Sequence, residues 1–228
     1  MTTLSAMDWR NFNSVAELEQ AALKTILDAA ARAIAERGAF HIVLAGGSTP
    51  RGVYRLLKNA ETNWSAWHIW FGDERCLPPD DAERNSHMAA EVWLDHVPIP
   101  RKQIHAIPAE LGADAAAAIY ADAIREVGEF DLVLLGLGED GHTASLFPGH
   151  DIGADENAPD VIAVHDAPKP PPERVSLSAR RLGRAREVIF LVAGESKREA
   201  VRQWQEGGAI PAAAIAPATI LLSIPSMA

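Results

Sequence analysis

Five short runs of continuously apolar residues punctuate the chain: FHIVLA (40–45), WHIWFG (67–72), FDLVLLGLG (130–138), EVIFLVA (187–193) and TILLSI (219–224). A strand with one face in water alternates apolar and polar residues. A run that is apolar at nearly every position is instead buried on both faces, as in a parallel sheet covered by helices. Helical periodicity fills the gaps between these runs. Ser14 and Glu17 form a capping box ahead of Leu18, Ala22, Ile26, Ala29 and Ala33, and Gly38 supplies a left-handed stop. Thr49 is placed to cap a second helix, with Pro50 at its first position. Further helices are expected near 84–95 and 110–126, over the short HTASLF segment (142–147), and after a second capping box at Ser196 and Glu199. QIHAI (103–107) and VIAVH (161–165) read as additional strands. Strands alternating with helices predict an α/β fold, a mostly parallel sheet with helices on both faces. The irregular, Pro-rich and acidic stretch 148–172 reads as a surface excursion, so residues 1–228 are expected to form a single domain.

Composition narrows the function. With 31 Asp+Glu against 21 Lys+Arg the formal charge is −10, which disfavours nucleic acid and anionic membranes as partners. Any anionic substrate must then find a local positive site. A single cysteine, Cys76, excludes an internal disulfide framework. The opening MTTLSAMDWRNFN carries Asp8 and Arg10 where a signal peptide needs an apolar run, and the most apolar stretch (209–224) is short and broken by Pro211 and Pro217. A soluble, cytoplasmic protein is the expectation. The histidines show no metal-ligand spacing, so no metal is expected.

Two glycine-rich loops follow predicted strands, where open parallel sheets bind ligands. In the first, Gly46, Gly47, Ser48 and Thr49 lead into a helix N-terminus, a combination suited to phosphate. It lacks the Lys of a P-loop, which disfavours a nucleoside triphosphate. An ordinary capped turn is the structural alternative. The second, GLGEDGH (136–142), matches a dinucleotide fingerprint only formally, because Glu139 and Asp140 would face a pyrophosphate. It does set Asp140 two residues before His142, and a carboxylate that orients an imidazole supports a general base. A helix N-terminus there would favour neutral His142 while Asp140 would favour its charged form. Arg75 follows a strand end, Arg174 precedes VSLS, and Lys197 falls in the first turn of a helix, where a cation is unfavourable unless an anion binds nearby.

Taken together, LAGGSTPRGVYRLL (44–57), WFGDERCLPPDDAERNSHMA (70–89), FDLVLLGLGEDGHTASLFPG (130–149) and RVSLSARRLGRAREVIFLVAGESKREAV (174–201) resemble the 6-phosphogluconolactonase family. The resemblance implies a modified Rossmann-like fold and hydrolysis of 6-phospho-D-glucono-1,5-lactone without a cofactor. It implies His142 as the base that activates water and Asp140 as its orienting group. Gly46, Gly47, Ser48, Thr49, Asp73, Arg75, Asn85, Arg174 and Lys197 become substrate and phosphate contacts, with Arg75 or a loop N–H as the oxyanion donor. Arg84-Asn85 stands where the family commonly has Ser-Asn, so of this pair only Asn85 is carried over. The chain ends at SIPSMA, where family members usually continue past the last strand.

A glucosamine-6-phosphate deaminase shares the loop but continues with Asn-Glu, whereas here Thr143-Ala144 follows His142. It also has an aromatic residue where Arg75 follows Asp73-Glu74. A non-catalytic sugar-phosphate sensor would need a DNA-binding domain, for which no room remains beside the matched segments. Oligomeric state is not legible.

Overall fold

The computed structural model describes residues 7–225; residues 1–6 and 226–228, on which the readings of the chain's start and end partly rest, lie outside the described residues. The elements run β1 (Asp8–Asn11), α1 (Val15–Arg37), β2 (Phe40–Leu44), α2 (Ser48–Leu57), β3 (Trp67–Phe71), β4 (Asp73–Arg75), α3 (Asn85–Val92), α4 (Ala113–Ile124), β5 (Phe130–Leu135), β6 (Val161–Val164), β7 (Arg174–Leu177), α5 (Ala179–Gly183), β8 (Ala185–Ala193), α6 (Arg198–Gln205) and β9 (Thr219–Ser223), with short 3₁₀ turns between several of them. Six strands pair in the order β1-β9-β8-β5-β2-β3, and every pairing is parallel. All six residues of β5 are buried, as the continuous apolar run requires.

Helices cover both faces. Along β2 and β3, Phe40 and Trp67 meet edge to face, with ring centroids 4.7 Å apart. Trp67 in turn packs on Trp93 just after α3, and Trp93 stacks on Tyr54 of α2. From the opposite face Tyr120 of α4 reaches the end of β3, where its hydroxyl accepts from the Phe71 N–H and donates to the Phe71 carbonyl. Helix α1 starts as the capping box predicts: Ser14 Oγ accepts from the Glu17 N–H, and Leu18, Ala22, Ile26, Ala29 and Ala33 are buried. Ala22, Ala29, Ala30 and Ala33 are small enough to let this long helix lie close on the sheet.

Several local expectations fail for identifiable reasons. VIAVH is a strand, β6, as expected, but it does not join the parallel sheet. Strands β4, β7 and β6 form a separate antiparallel sheet, entered directly from β3 through Gly72. QIHAI is not a strand; only Ile104 bridges to Ile69, because the Gln103 amide is spent on the Ser65 and Trp67 carbonyls and the His105 ring stacks on Trp70. Helix α2 begins at Ser48, since Gly47 at φ 105° already breaks the strand, so Thr49 lies inside the helix rather than capping it. Ser196 does not cap α6. Gly194 at φ 98° opens a 3₁₀ turn over Glu195–Lys197 that leads into the helix. HTASLF is no helix either. Thr143 and Leu146 form a tight bridged turn, held by Thr143 Oγ1 on the Gly136 carbonyl and by Ser145 Oγ on Asp73. Among the described residues no helix is long and apolar enough to cross a membrane.

Candidate active site

The chain builds β2 and β3 in one direction across the sheet and β5, β8 and β9 in the other, so the strand order reverses between β2 and β5. Such a switch point leaves a crevice outside the carboxyl ends of the two strands. A cavity of about 360 Å³ lies there. Its floor is Ala45-Gly46-Gly47 after β2 and Gly136-Leu137-Gly138 after β5. Asp73 and Arg75 from β4, Asn85 at the start of α3, Arg174 from β7 and Lys197 after β8 close its sides.

His142 lines this cavity. Its Nδ1–H donates to Asp140 Oδ1 at 2.5 Å, and its backbone N–H donates to the same oxygen at 3.2 Å. The carboxylate therefore fixes both ring and main chain, and Nε2 is left as the nitrogen with no partner among the described residues. Burial pushes the Asp140 carboxyl up, but the hydrogen bonds from His142 outweigh it and hold the group below the usual carboxylate range. HTASLF is a turn, so it brings no helix N-terminus of its own to the ring. Gly138 is indispensable to the arrangement: a Cβ there would sit 2.0 Å from His142 Nδ1. Phe147 packs on the imidazole from another side, with centroids 4.9 Å apart.

A second network shapes the opposite wall. Asn85 Nδ2 donates to the backbone and side-chain oxygens of Asp73, and Ser145 Oγ donates to the other Asp73 oxygen at 2.6 Å. Asn85 presses so close to the floor that a Cβ on Gly46 would meet its Oδ1 at 1.9 Å. Beneath it the fully buried Glu74 accepts from the N–H groups of Arg75, Asn85 and Ser86. Arg84, also buried, lies 3.4 Å from Glu74 and 2.8 Å from Glu110. This pairing gives the departure at Arg84 a structural role: it neutralises a buried carboxylate behind Asn85.

Most Lys and Arg side chains here reach a carboxylate. Among the described residues, those without one within 4 Å are Arg55, Lys58 and Lys102, plus four that line this single cavity: Arg75, Lys169, Arg174 and Lys197. In so acidic a chain, four cations gathered without carboxylate partners, with Asp73 as the one acidic residue among the described lining, give this cavity a net positive wall. Ser48 and Thr49 are not among the lining residues, although Gly46 and Gly47 are; what the loop offers the cavity is backbone, together with the start of α2. Asp140 stands behind His142 rather than in the wall. Lys169 escaped the sequence reading; a lone lysine within an acidic, proline-rich excursion was the available signal. Cys76 lies outside, and burial pushes its thiol up to about 11. Among the described residues no group of three or more His, Cys, Asp or Glu side chains converges as a metal would require.

A profile of the family described as Glucosamine-6-phosphate isomerases/6-phosphogluconolactonase matches residues 13–223. The chain belongs to that family. It is 40% identical over 202 residues to a 6-phosphogluconolactonase of Streptomyces coelicolor, covering 81% of this chain and 77% of the relative. A probable chloroplastic 6-phosphogluconolactonase 4 of Oryza sativa is 35% identical over 209 residues, and this chain spans 64% of its length. Among solved structures, the 6-phosphogluconolactonase of Thermotoga maritima superposes with a TM-score of 0.88 at 26% identity, covering 96% of this chain and 100% of that one. The modified Rossmann-like, mostly parallel fold expected from the motifs is thereby borne out.

Proposed function

We propose that the chain hydrolyses 6-phospho-D-glucono-1,5-lactone to 6-phospho-D-gluconate, and that residues 1–228 act as one sugar-phosphate-binding catalytic domain. The observation that carries this reading is the meeting, in one crevice, of a carboxylate-held imidazole with a free Nε2 and a cluster of cations that have no carboxylate of their own. The names of the relatives support the same reaction.

His142 Nε2 takes a proton from water as its oxygen attacks the lactone carbonyl. The carbonyl electrons move onto oxygen, giving a tetrahedral oxyanion. On collapse the bond to the ring oxygen breaks, and the departing C5 oxygen takes the proton back from the imidazolium. Asp140 stabilises that imidazolium and keeps Nδ1 as the protonated nitrogen, so Nε2 is always the one presented. Nearby backbone N–H groups stabilise the oxyanion, while the exposed amides at the start of α2, with Arg75 and Lys197, hold the phosphate. Asp73, held by Asn85 and Ser145, is placed to accept sugar hydroxyls. A cytoplasmic setting accords with the single free thiol of Cys76.

A positioned base contributes about 10²–10⁴ in rate. His142→Ala is therefore expected to lower kcat on enzymatically generated 6-phosphogluconolactone by at least 10², after subtraction of the spontaneous reaction, with unchanged melting temperature. Near-normal turnover by this variant would remove His142 from the chemistry. Glucosamine 6-phosphate serves as control, and ammonia release from it by the wild type would redirect the reading to a deaminase.

A further inference from the structure

Arg174 lines the cavity, yet its guanidinium is already engaged. Nε donates to the Pro171 carbonyl at 3.1 Å, and Nη2 donates to the carbonyls of Lys169 and Pro170 at 3.0 and 3.1 Å. Its central carbon stands 5.6 Å from the Phe147 ring centroid, and the residue is only 5% exposed. Three consecutive carbonyls are thus gathered by one cation. The segment needs such a partner. Pro170, Pro171 and Pro172 have no N–H, so it cannot pair as a strand, and its one backbone closure is Ala167 N–H to the Pro172 carbonyl. Lys169 shares with Arg174 the cavity lining and the lack of a carboxylate within ion-pair distance, but its side chain is exposed while its backbone carbonyl is held.

We propose that Arg174 is a positioning residue that folds the 169–171 segment over the cavity mouth, and that Lys169, so placed, contacts the phosphate of the substrate and sets the preference for phosphorylated over unphosphorylated lactone. The proposal rests on the sugar-phosphate reading above. Arg75 is the cross-strand partner of Arg174 in the β4–β7 pair, where like charges repel. Turning one guanidinium onto carbonyls and an aromatic face relieves that repulsion, and Arg75, whose Nη1 donates to the Glu83 carbonyl, keeps its other N–H groups for the ligand. The division of labour follows from chemistry: a planar fork suits several fixed carbonyls, whereas a flexible ammonium suits a tetrahedral phosphate.

The test compares wild type, K169M, R174Q and K169M/R174Q on 6-phosphogluconolactone and on unphosphorylated gluconolactone. Calorimetric titration with 6-phosphogluconate gives binding apart from turnover. K169M is expected to lower the preference for the phosphorylated lactone about tenfold or more, through KM rather than kcat, as loss of one charge-assisted contact implies. R174Q should do the same, and hydrogen exchange should quicken across 166–173. The double variant should be no worse than K169M within twofold, because Arg174 acts through Lys169. K169R should recover much of the loss. Should R174Q fail to fold, R174K replaces it, since one ammonium cannot span three carbonyls in that geometry. A K169M enzyme with unchanged preference and product affinity overturns the proposal while leaving the lactonase reading intact. A double variant whose loss is the product of the two singles overturns the positioning role and makes Arg174 a direct ligand. A wild type that hydrolyses neither lactone and binds no 6-phosphogluconate overturns the underlying reading and this proposal with it.

Discussion

Three imidazoles stack at the end of the sheet far from the cavity, and they make stability fall in mild acid. His41 on β2 and His68 on β3 have ring centroids 4.5 Å apart, and His105 lies 5.7 Å beyond His68 and 3.8 Å over Trp70. Their hydrogen bonds need neutral rings. Trp70 Nε1–H donates to His41 Nδ1, which must carry a lone pair, and the 3.4 Å contact between His68 Nδ1 and His105 Nε2 accommodates a single proton. Burial, then the neighbouring His68, push His41 down to about 4 despite the opposing pull of Asp131. Burial, then His68 and His41, bring His105 to about 4 as well, while burial and Lys102 lower His68. An unfolded histidine titrates near 6.5. Below that value the unfolded chain takes up protons that the folded chain refuses, so stability is full above about pH 6.5 and drains away toward pH 4. At pH 5 an unscreened shift of this size is worth about 2 kcal/mol per ring. The rings are half-buried, and discounting for solvent leaves about 1 kcal/mol each for His41 and His105. Urea unfolding followed by tryptophan fluorescence should show a loss of about 2 kcal/mol between pH 7 and pH 5, above the main carboxylate range. His41→Gln/His105→Gln should flatten that slope while lowering stability at pH 7. An equal slope in the double variant, or no slope in the wild type, would refute the reasoning.

Other outcomes follow from close contacts. Gly138→Ala puts a methyl into the His142 ring position and should cut kcat by about 10² or more, with the fold intact by circular dichroism. Ala144 lies in the left-handed region at φ 48° in the turn that carries Ser145. Ala144→Gly should therefore raise stability by about 1 kcal/mol in chemical denaturation. Glu74→Gln leaves Arg84 without its buried counter-charge and sets an amide N–H₂ against backbone donors. A loss of about 3 kcal/mol is expected by calorimetry, with KM raised through the loosened Asn85.

The parallel sheet was legible because burial on both faces writes itself as unbroken apolar runs such as FHIVLA and FDLVLL. The small antiparallel sheet was not. VIAVH is readable as a strand, but its partners DER and RVSL are too short or too polar for periodicity to act on, and β4 is held by pairing with β7 rather than by propensity. Helix starts slipped wherever a glycine at positive φ decided the geometry, as at Gly47 and Gly194. In the site, the carboxylate-imidazole pair was visible as Asp-x-His because it is local. The Asp73–Asn85–Ser145 network and the carbonyl clamp around Arg174 join residues distant in sequence or spend their donors on backbone, which leaves no motif to read.

The pairing of β1 with β9 bears on how the chain reaches this state. Asp8–Asn11 is parallel to Thr219–Leu222 at the sheet's edge, so β1 waits during synthesis for a strand made after all the other described strands. Until residue 219 has left the ribosome, β1 has no partner, and β8 carries an open edge that later belongs to β9. A circular permutant faces the same geometry. Because the two strands run the same way, a linker from the end of β9 back to β1 must retrace the strand, roughly 16 Å for five residues, and a tight hairpin cannot supply it.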